Sequence, residues 1–192
     1  MQIDRILYPI SSLGPGKRLV IWTIGCSKHC KRCSNTELWG SNPDRDITIE
    51  DLFALITNIA NEKKIDGITI TGGDPFEQIE DLLALVSLLS TITKDILVYT
   101  GYTKEELDEV IAVNKCKDIY EHIAVLIVGR YIDDLNDNKS VLYGSTNQEI
   151  LYLKEEYRSI YERYLHKGRM VQNVYCDGRV ISVGIHNKEG QI

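Results

Sequence analysis

Residues 18–35 have the sequence RLVIWTIGCSKHCKRCSN, in which a short apolar run leads directly into a loop with three cysteines. The run at residues 18–24 is rich in β-branched and aromatic side chains, which predicts a buried strand. Cys26, Cys30 and Cys33 follow it at C-x3-C-x2-C spacing. The sequence therefore places three thiols directly at the end of a predicted strand.

Strand and helix patterns alternate through the middle of the chain. Strands are predicted at residues 67–72, 95–101 and 123–129, and helices at residues 48–64, at residues 77–92 and from Thr103 onwards. Thr48 with Asp51, and Thr103 with Glu106, have the spacing of helix-capping pairs. Nearly continuous apolar strands that alternate with helices predict a parallel sheet with both faces covered.

The C-terminal part of the chain has a different pattern. Residues 148–166 are predicted to form a helix whose tyrosines pack against the protein. Residues 173–184 are predicted to form a β-hairpin that turns at Asp177 and Gly178. We therefore expect a helix and a hairpin to follow the alternating region.

Composition and charge exclude several classes of partner. The chain has 192 residues, of which 22 are basic and 28 acidic, and its formal charge is −6. This balance offers no electrostatic footprint for nucleic acid or for an anionic membrane. The N-terminus lacks the pattern of a signal peptide, and no apolar run reaches the roughly 18 residues of a membrane span. We therefore expect a cytoplasmic protein, without nucleic-acid or membrane partners, whose cysteines are not paired in disulfides.

The closely spaced cysteines suggest a metal centre. Three thiolates on so short a loop can bind three corners of a [4Fe–4S] cubane and leave its fourth iron open to another ligand. A structural zinc site is an alternative, but it needs a fourth ligand from His29, Cys116 or Cys176. Buried structural thiols are the remaining possibility, and we expect this role for Cys116 and Cys176.

Several motifs together resemble one known family. They are LGPGKR at residues 13–18, GC at 25–26, TGGDPF at 71–76, VYTGYTKEEL at 98–107, VGRYIDDLND at 128–137 and YGSTNQ at 143–148. The cysteine spacing resembles that of radical S-adenosylmethionine (SAM) enzymes. The order of the other motifs resembles the activating enzyme of anaerobic, class III ribonucleotide reductase, and this resemblance extends over residues 8–151.

The resemblance implies two cofactors. Cys26, Cys30 and Cys33 would bind a [4Fe–4S] cluster, whose unique iron takes the amino and carboxylate groups of SAM. The glycine-rich segment 72–75 would bind the amino group of SAM, and its two glycines let a ligand approach the backbone closely. The implied SAM-binding residues are Arg32, Ser34, Gly72, Gly73, Asp74, Pro75, Thr100, Gly101, Gly129 and Arg130.

The resemblance also implies the fold, a partial, open (β/α) barrel of the radical SAM type. Residues 1–192 would form a single domain with a C-terminal helix and hairpin extension at residues 151–192, since a full barrel typically takes about 250 residues. Lys17 and Arg18, at the far end of the first predicted strand, are expected to be surface charges. The polar residues 145–148 are expected to cap the following helix.

The function implied is the generation of a glycyl radical on a partner enzyme. The partner would be the large subunit of an anaerobic ribonucleotide reductase, and flavodoxin or ferredoxin would donate the electron. Arg32 stands where many radical SAM enzymes have an aromatic residue, and Ala124 and Val128 stand where the activating enzymes usually have aspartates. The departures at residues 124 and 128, together with the C-terminal extension, motivate an alternative radical SAM enzyme that acts on a small molecule or peptide. A non-catalytic, zinc-binding interaction module is a second alternative.

Overall fold

The computed structural model describes residues 1–176, without the side chain of Cys176, and residues 178–188, so the predicted turn residue Asp177 lies outside it. The strands are β1 (Ile3–Ile10), β2 (Arg18–Thr23), β3 (Gly67–Gly72), β4 (Ile96–Tyr99), β5 (Val125–Val128), β6 (Glu149–Tyr152), β7 (Val171–Cys176) and β8 (Arg179–Gly184). The helices are α1 (Ile49–Glu62), α2 (Ile79–Leu89), α3 (Lys104–Val113), α4 (Ile119–His122) and α5 (Arg158–Leu165). Among the described residues, no helix has the length and hydropathy required to cross a bilayer.

The central sheet has six strands in the order β1-β2-β3-β4-β5-β6. The four predicted strands, β2 to β5, are confirmed and run parallel. β1 and β6 add antiparallel edges, and β7 pairs with β8 in a separate hairpin, as predicted. The chain is therefore a mixed α/β protein with a mostly parallel central sheet.

Of the three helix starts predicted in the alternating region, two are confirmed. The Thr48 hydroxyl accepts a hydrogen bond from the Asp51 amide at the start of α1, and Thr103 and Glu106 form a reciprocal capping box at the start of α3. α2 begins at Ile79, later than predicted, because residues 75–78 form a 3-10 turn. Local capping chemistry therefore determines two of the three starts.

β1 was not predicted from the sequence. It pairs with β2, but its register shifts twice, between Ile3 and Arg5 and between Leu7 and Ile10. A β-bulge breaks the alternation of buried and exposed side chains. The pattern that identifies a strand in a sequence is therefore absent from β1.

The prediction of a helix at residues 148–166 is wrong for the first part of this range. Residues 149–152 form β6, which pairs antiparallel with β5, and the helix α5 covers only Arg158–Leu165. The exposed edge of β5 offers backbone hydrogen bonds that a short segment satisfies by pairing as a strand. Tertiary context therefore overrides the helical pattern.

The two faces of the sheet are covered by different parts of the chain. Leu52 of α1, Leu82 of α2 and Leu107 of α3 pack on one face. On the other face, Tyr161 of α5 packs beside β4 and β5, and Val183 of β8 packs against β1 and β2. The C-terminal extension therefore covers the second face, with the helix α5 beside β4 and β5 and the hairpin beside β1 and β2.

The prediction that Arg18 is a surface charge is wrong. Lys17 is exposed as predicted, but Arg18 is fully buried. Its guanidinium lies 2.9 Å from Oδ2 of Asp95 and also donates to the Ile68 carbonyl at 2.7 Å and to the Thr69 hydroxyl at 2.6 Å. A buried charge is tolerated when it is paired and hydrogen-bonded in this way.

Candidate functional site

Four loops meet at one edge of the parallel sheet. They follow β2, β3, β4 and β5, and parallel strands bring their carboxyl ends to the same edge. The loops surround a cavity of about 240 Å³ that opens to solvent. Small-molecule sites typically occupy about 300–1,000 Å³. The cavity is therefore slightly smaller than a usual ligand site, and a larger ligand would extend into its open mouth.

The cysteine loop is held at this edge by backbone hydrogen bonds. The amides of Gly25 and Cys26 donate to the carbonyls of Leu38 and Trp39, at 2.8 Å and 3.0 Å. The ring of His29 stacks on the ring of Trp39 at a centroid distance of 4.6 Å. His29, a possible zinc ligand in the sequence analysis, therefore packs on an aromatic side chain.

Cys26, Cys30 and Cys33 all line the cavity and are partly buried. Burial raises the pKa of the Cys26 and Cys30 thiols. Thiolates are the form that binds metal, so a bound centre must supply the positive charge that deprotonates them. Within residues 1–176 and 178–188, no three His, Cys, Asp or Glu side chains are arranged as ligands of a single ion. A [4Fe–4S] cubane does not require the three thiolates to converge on one ion, because each of its protein-bound irons takes its own thiolate.

Two glycines after β3 allow the loops to approach closely. Gly72 has a φ of +117°, and the Gly73 amide donates to the Thr23 carbonyl at 2.8 Å. A Cβ atom on Gly73 would lie 2.3 Å from the carbonyl oxygen of Gly25. Any side chain at this position would therefore push the cysteine loop away from the end of β3.

Asp74 joins three of the loops from a fully buried position. Its Oδ1 accepts hydrogen bonds from the Phe76 amide at 3.1 Å and from the Thr100 hydroxyl at 2.9 Å. Its Oδ2 accepts from the Gly101 amide at 2.9 Å and lies 3.0 Å from Nζ of Lys28. Burial raises the pKa of Asp74, and these partners offset the shift only in part. Both carboxylate oxygens are therefore engaged by the protein itself.

Lys28 belongs to the cysteine loop, yet its side chain is only 2% exposed. Besides Asp74, its Nζ atom lies 2.7 Å from Oε1 of Glu77 and 3.2 Å from the centre of the Tyr102 ring. Burial acts to lower the pKa of Lys28, but Asp74 and Glu77 outweigh it and the pKa is raised. The ammonium group therefore attaches the cysteine loop to the segments that follow β3 and β4.

Replacing Lys28 with methionine is expected to loosen the cysteine loop. The change removes charge-assisted hydrogen bonds, which contribute about 1.5–3 kcal/mol each, and it leaves the Asp74 carboxylate buried without its cation. Protection of the amides of residues 25–34 from hydrogen exchange in the apoprotein should fall about tenfold or more. Lys31→Met, at an exposed lysine of the same loop, is the matched control and should leave protection unchanged. Equal protection in the two variants would contradict this role for Lys28.

Most of the predicted site residues lie together around the cavity. Those that line it are Cys26, Cys30, Cys33, Ser34, Gly72, Gly73, Asp74, Thr100, Gly101 and Gly129. Pro75 is buried behind it in the 3-10 turn. Arg32 and Arg130 have side chains that are more than half exposed and pair with Asp133 and Glu106. Neither arginine lines the cavity, so the prediction that they bind SAM has no support from their placement.

The polar residues 145–148 do not cap a helix, because β6 follows them. Gln148 lines the cavity; its side-chain amide donates to the Gly129 carbonyl at 2.9 Å and accepts from the Gly144 amide at 2.9 Å. Ser145 accepts from the Ile132 amide at 3.1 Å. These residues therefore connect the loop after β5 to the segment that leads into β6.

Other residues of the cavity wall are not among the predicted site residues. Trp22 and Tyr99 line the cavity near the ends of β2 and β4; strand alternation, which puts Trp22 on the same face as Val20, could have indicated this. Residues 182–186 line it from the C-terminal extension, and no local pattern signals their position.

Two residues of the cavity wall carry buried donors that have no hydrogen-bond partner within the described part of the chain. These donors are Nε of Arg5 and the hydroxyl of Tyr99. The Tyr99 hydroxyl interacts electrostatically with Tyr164 and Arg18, so it does not point towards the cysteines, and Tyr99 presents its ring to the cavity.

The chain is similar to proteins of known family. Residues 12–151 match the family described as a 4Fe-4S single cluster domain. The chain is 34% identical over 154 residues to the anaerobic ribonucleoside-triphosphate reductase-activating protein of Salmonella typhimurium, covering 77% of this chain and 96% of the relative. The protein of the same name from Enterobacteria phage T4 is 31% identical over 156 residues, covering 78% and 93%.

A solved structure, QueE from Escherichia coli, shares 24% identity with a TM-score of 0.45 over 53% of each chain. This likeness is too distant to carry a conclusion.

Proposed function

Since the chain belongs to the family of the anaerobic ribonucleoside-triphosphate reductase-activating proteins and to the 4Fe-4S single cluster family, we propose that it generates a glycyl radical on such a reductase. The observation that carries the proposal is the placement of all three cysteines in one cavity with residues 72–74. In this proposal Cys26, Cys30 and Cys33 hold a [4Fe–4S] cluster, and SAM binds beside it.

The bound groups supply the chemistry, and the protein positions them. A [4Fe–4S] cluster held by Cys26, Cys30 and Cys33 would supply the one electron that cleaves SAM to methionine, and the hydrogen removed from the glycine Cα of the partner would end in 5'-deoxyadenosine. Lys28 and Asp74 hold the cysteine loop against the loops after β3 and β4. Trp22 and Tyr99 provide an apolar wall that excludes water from the reacting atoms.

The wider assignment follows from the same proposal. Residues 1–192 form a single domain, and the parallel strands β2 to β5 are the core of a partial, open (β/α) barrel with an extension at residues 151–192. Flavodoxin or ferredoxin supplies the electron in the cytoplasm. The SAM contacts are Ser34, Gly72, Gly73, Asp74, Thr100, Gly101 and Gly129, which line the cavity.

The proposal is tested by anaerobic reconstitution with iron and sulfide, reduction, and incubation with SAM and the large subunit of an anaerobic ribonucleoside-triphosphate reductase. A glycyl radical signal in electron paramagnetic resonance, with one 5'-deoxyadenosine formed per radical, is the expected result. A four-iron protein that forms 5'-deoxyadenosine but leaves no radical on the reductase would contradict it.

A second candidate is a radical SAM enzyme that acts on a small molecule or peptide. The observation that favours it is the position of residues 182–186, which close part of the cavity. In the same experiment, this second candidate predicts SAM cleavage without a radical on the reductase, which is the result that would contradict glycyl radical activation. If elemental analysis finds zinc instead of iron, both radical SAM functions are excluded and the non-catalytic, zinc-binding interaction module remains.

A further inference from the structure

The C-terminal extension forms one wall of the cavity. The family match ends at residue 151, whereas Ser182, Val183, Gly184, Ile185 and His186 line the cavity together with the three cysteines. The extension therefore contributes to the site although it lies outside the family match.

The hairpin is seated by apolar contacts and hydrogen bonds. The Val183 side chain is 2% exposed and packs in one cluster with Trp22 and Ile24. The buried Ser12 hydroxyl donates to the Val183 carbonyl at 2.7 Å. The Gln172 side chain donates to the Pro9 carbonyl at 2.8 Å. The hairpin is therefore packed against the sheet and forms a fixed wall of the cavity.

Arg169 attaches the segment after the hairpin, residues 185–188, which we call the strap. Its side chain is 7% exposed. Its guanidinium donates to the His186 carbonyl at 2.9 Å, to the Ser140 carbonyl at 2.7 Å and to Oδ1 of Asn136 at 3.0 Å. One arginine therefore connects the strap to the loop after β5, whose residue Asn136 also lines the cavity.

Lys188 makes the second attachment of the strap. Its Nζ atom lies 3.5 Å from Oδ2 of Asp133 and donates to the Asp133 carbonyl at 3.2 Å. The same carboxylate lies 3.7 Å from Nε of Arg32 in the cysteine loop. The strap and the cysteine loop therefore share an anchor at the rim of the cavity.

We propose that the extension is the specificity wall of the site, in which Arg169 positions the strap and Ser182 and His186 contact the substrate segment. The Ser182 hydroxyl and Nε2 of His186 lie 2.9 Å apart, and both residues line the cavity. The amide and carbonyl groups of an extended glycine-containing segment need partners when they enter a partly buried site. A hydroxyl and an imidazole provide a donor and an acceptor for them. The identity of this substrate segment rests on the proposed function, but the wall itself does not.

The wall is tested first on the apoprotein, where no cluster or partner is needed. Arg169→Ala should raise the rate at which a maleimide labels Cys26, Cys30 and Cys33 by about tenfold, because the strap loses its charge-assisted hydrogen bonds. Arg163→Ala, at an exposed arginine of α5, is the matched control. Lys188→Ala tests the strap independently and should also raise the rate. Both strap variants should keep the circular dichroism spectrum of the wild type. If their labelling rates then stay within twofold of wild type, the proposal that the strap forms a wall of the cavity is wrong.

Substrate contact is tested with the reconstituted protein and the reductase. Ser182→Ala and His186→Ala should each raise the KM for the reductase about fivefold, the effect of one lost hydrogen bond, with a smaller change in kcat. His166→Ala, at an exposed histidine of the extension, should change neither. An unchanged KM in both wall variants would overturn the contact. Absence of a radical on the reductase with the wild-type protein would instead mark failure of the proposed function and leave the labelling result standing.

Discussion

A Cys30→Ala variant is expected to hold no intact four-iron cluster and to form no 5'-deoxyadenosine from SAM. Cys30 lies in the middle of the C-x3-C-x2-C loop and lines the cavity with the other two cysteines. A cubane with a protein-bound thiolate on three irons has no substitute for a missing one in this loop. Loss of activity should therefore be complete, and its cause should be visible as loss of iron.

The measurements are iron and sulfide content after anaerobic reconstitution, absorbance near 400 nm, and 5'-deoxyadenosine after reduction with SAM present. Cys116→Ala is the matched control, since Cys116 is 4% exposed and packs with the helices on the opposite face of the sheet. It should keep four irons per chain. A Cys30→Ala protein with a full iron content would show that the ligand set is wrong.

The second large effect is expected for Arg18→Met, which should lower the free energy of unfolding by about 3–5 kcal/mol. The substitution leaves the Asp95 carboxylate without its cation in the interior, where Arg18 is fully buried and Asp95 is 6% exposed. It also removes the donors of the Ile68 carbonyl and the Thr69 hydroxyl. The Tyr161 hydroxyl, which donates to Oδ1 of Asp95 at 2.6 Å, cannot replace a positive charge.

Urea unfolding of the apoprotein measures this effect without any contribution from the cluster. Lys17→Met, at the exposed neighbouring lysine, should change the free energy of unfolding by less than about 0.5 kcal/mol. Tyr161→Phe should cost about 1–3 kcal/mol, because it removes one hydrogen bond to a buried carboxylate. A loss below about 1 kcal/mol for Arg18→Met would mean that Asp95 is not held as a buried charge.

The ion pair also links the extension to the sheet. Tyr161 lies in α5, and its hydroxyl bonds the same carboxylate that pairs with Arg18. The stability of the sheet and the packing of the extension on it therefore both depend on the buried Asp95 carboxylate. Arg18 lies at the end of β2 opposite the cysteines, so its loss should act on stability before it acts on the site.

Local patterns in the sequence predicted much of this protein. Thr48 and Thr103 cap their helices as expected because capping involves neighbours in the chain. The apolar strands β2 to β5 were found because burial on both faces leaves a continuous apolar run. β1 and β6 were missed, since bulges obscure the first and pairing with an exposed edge determines the second.

The sequence by itself determined the chemistry: three thiols on one short loop, a glycine pair after the next strand, and parallel strands that bring both to the same edge. Only the tertiary structure decided how that edge is held and enclosed. Arg18 and Asp95 are 77 residues apart in the chain, and the strap reaches the cavity from the far end of the chain. Such contacts depend on which elements pack together, and burial then decides whether a charged or polar residue finds a partner or remains at the surface.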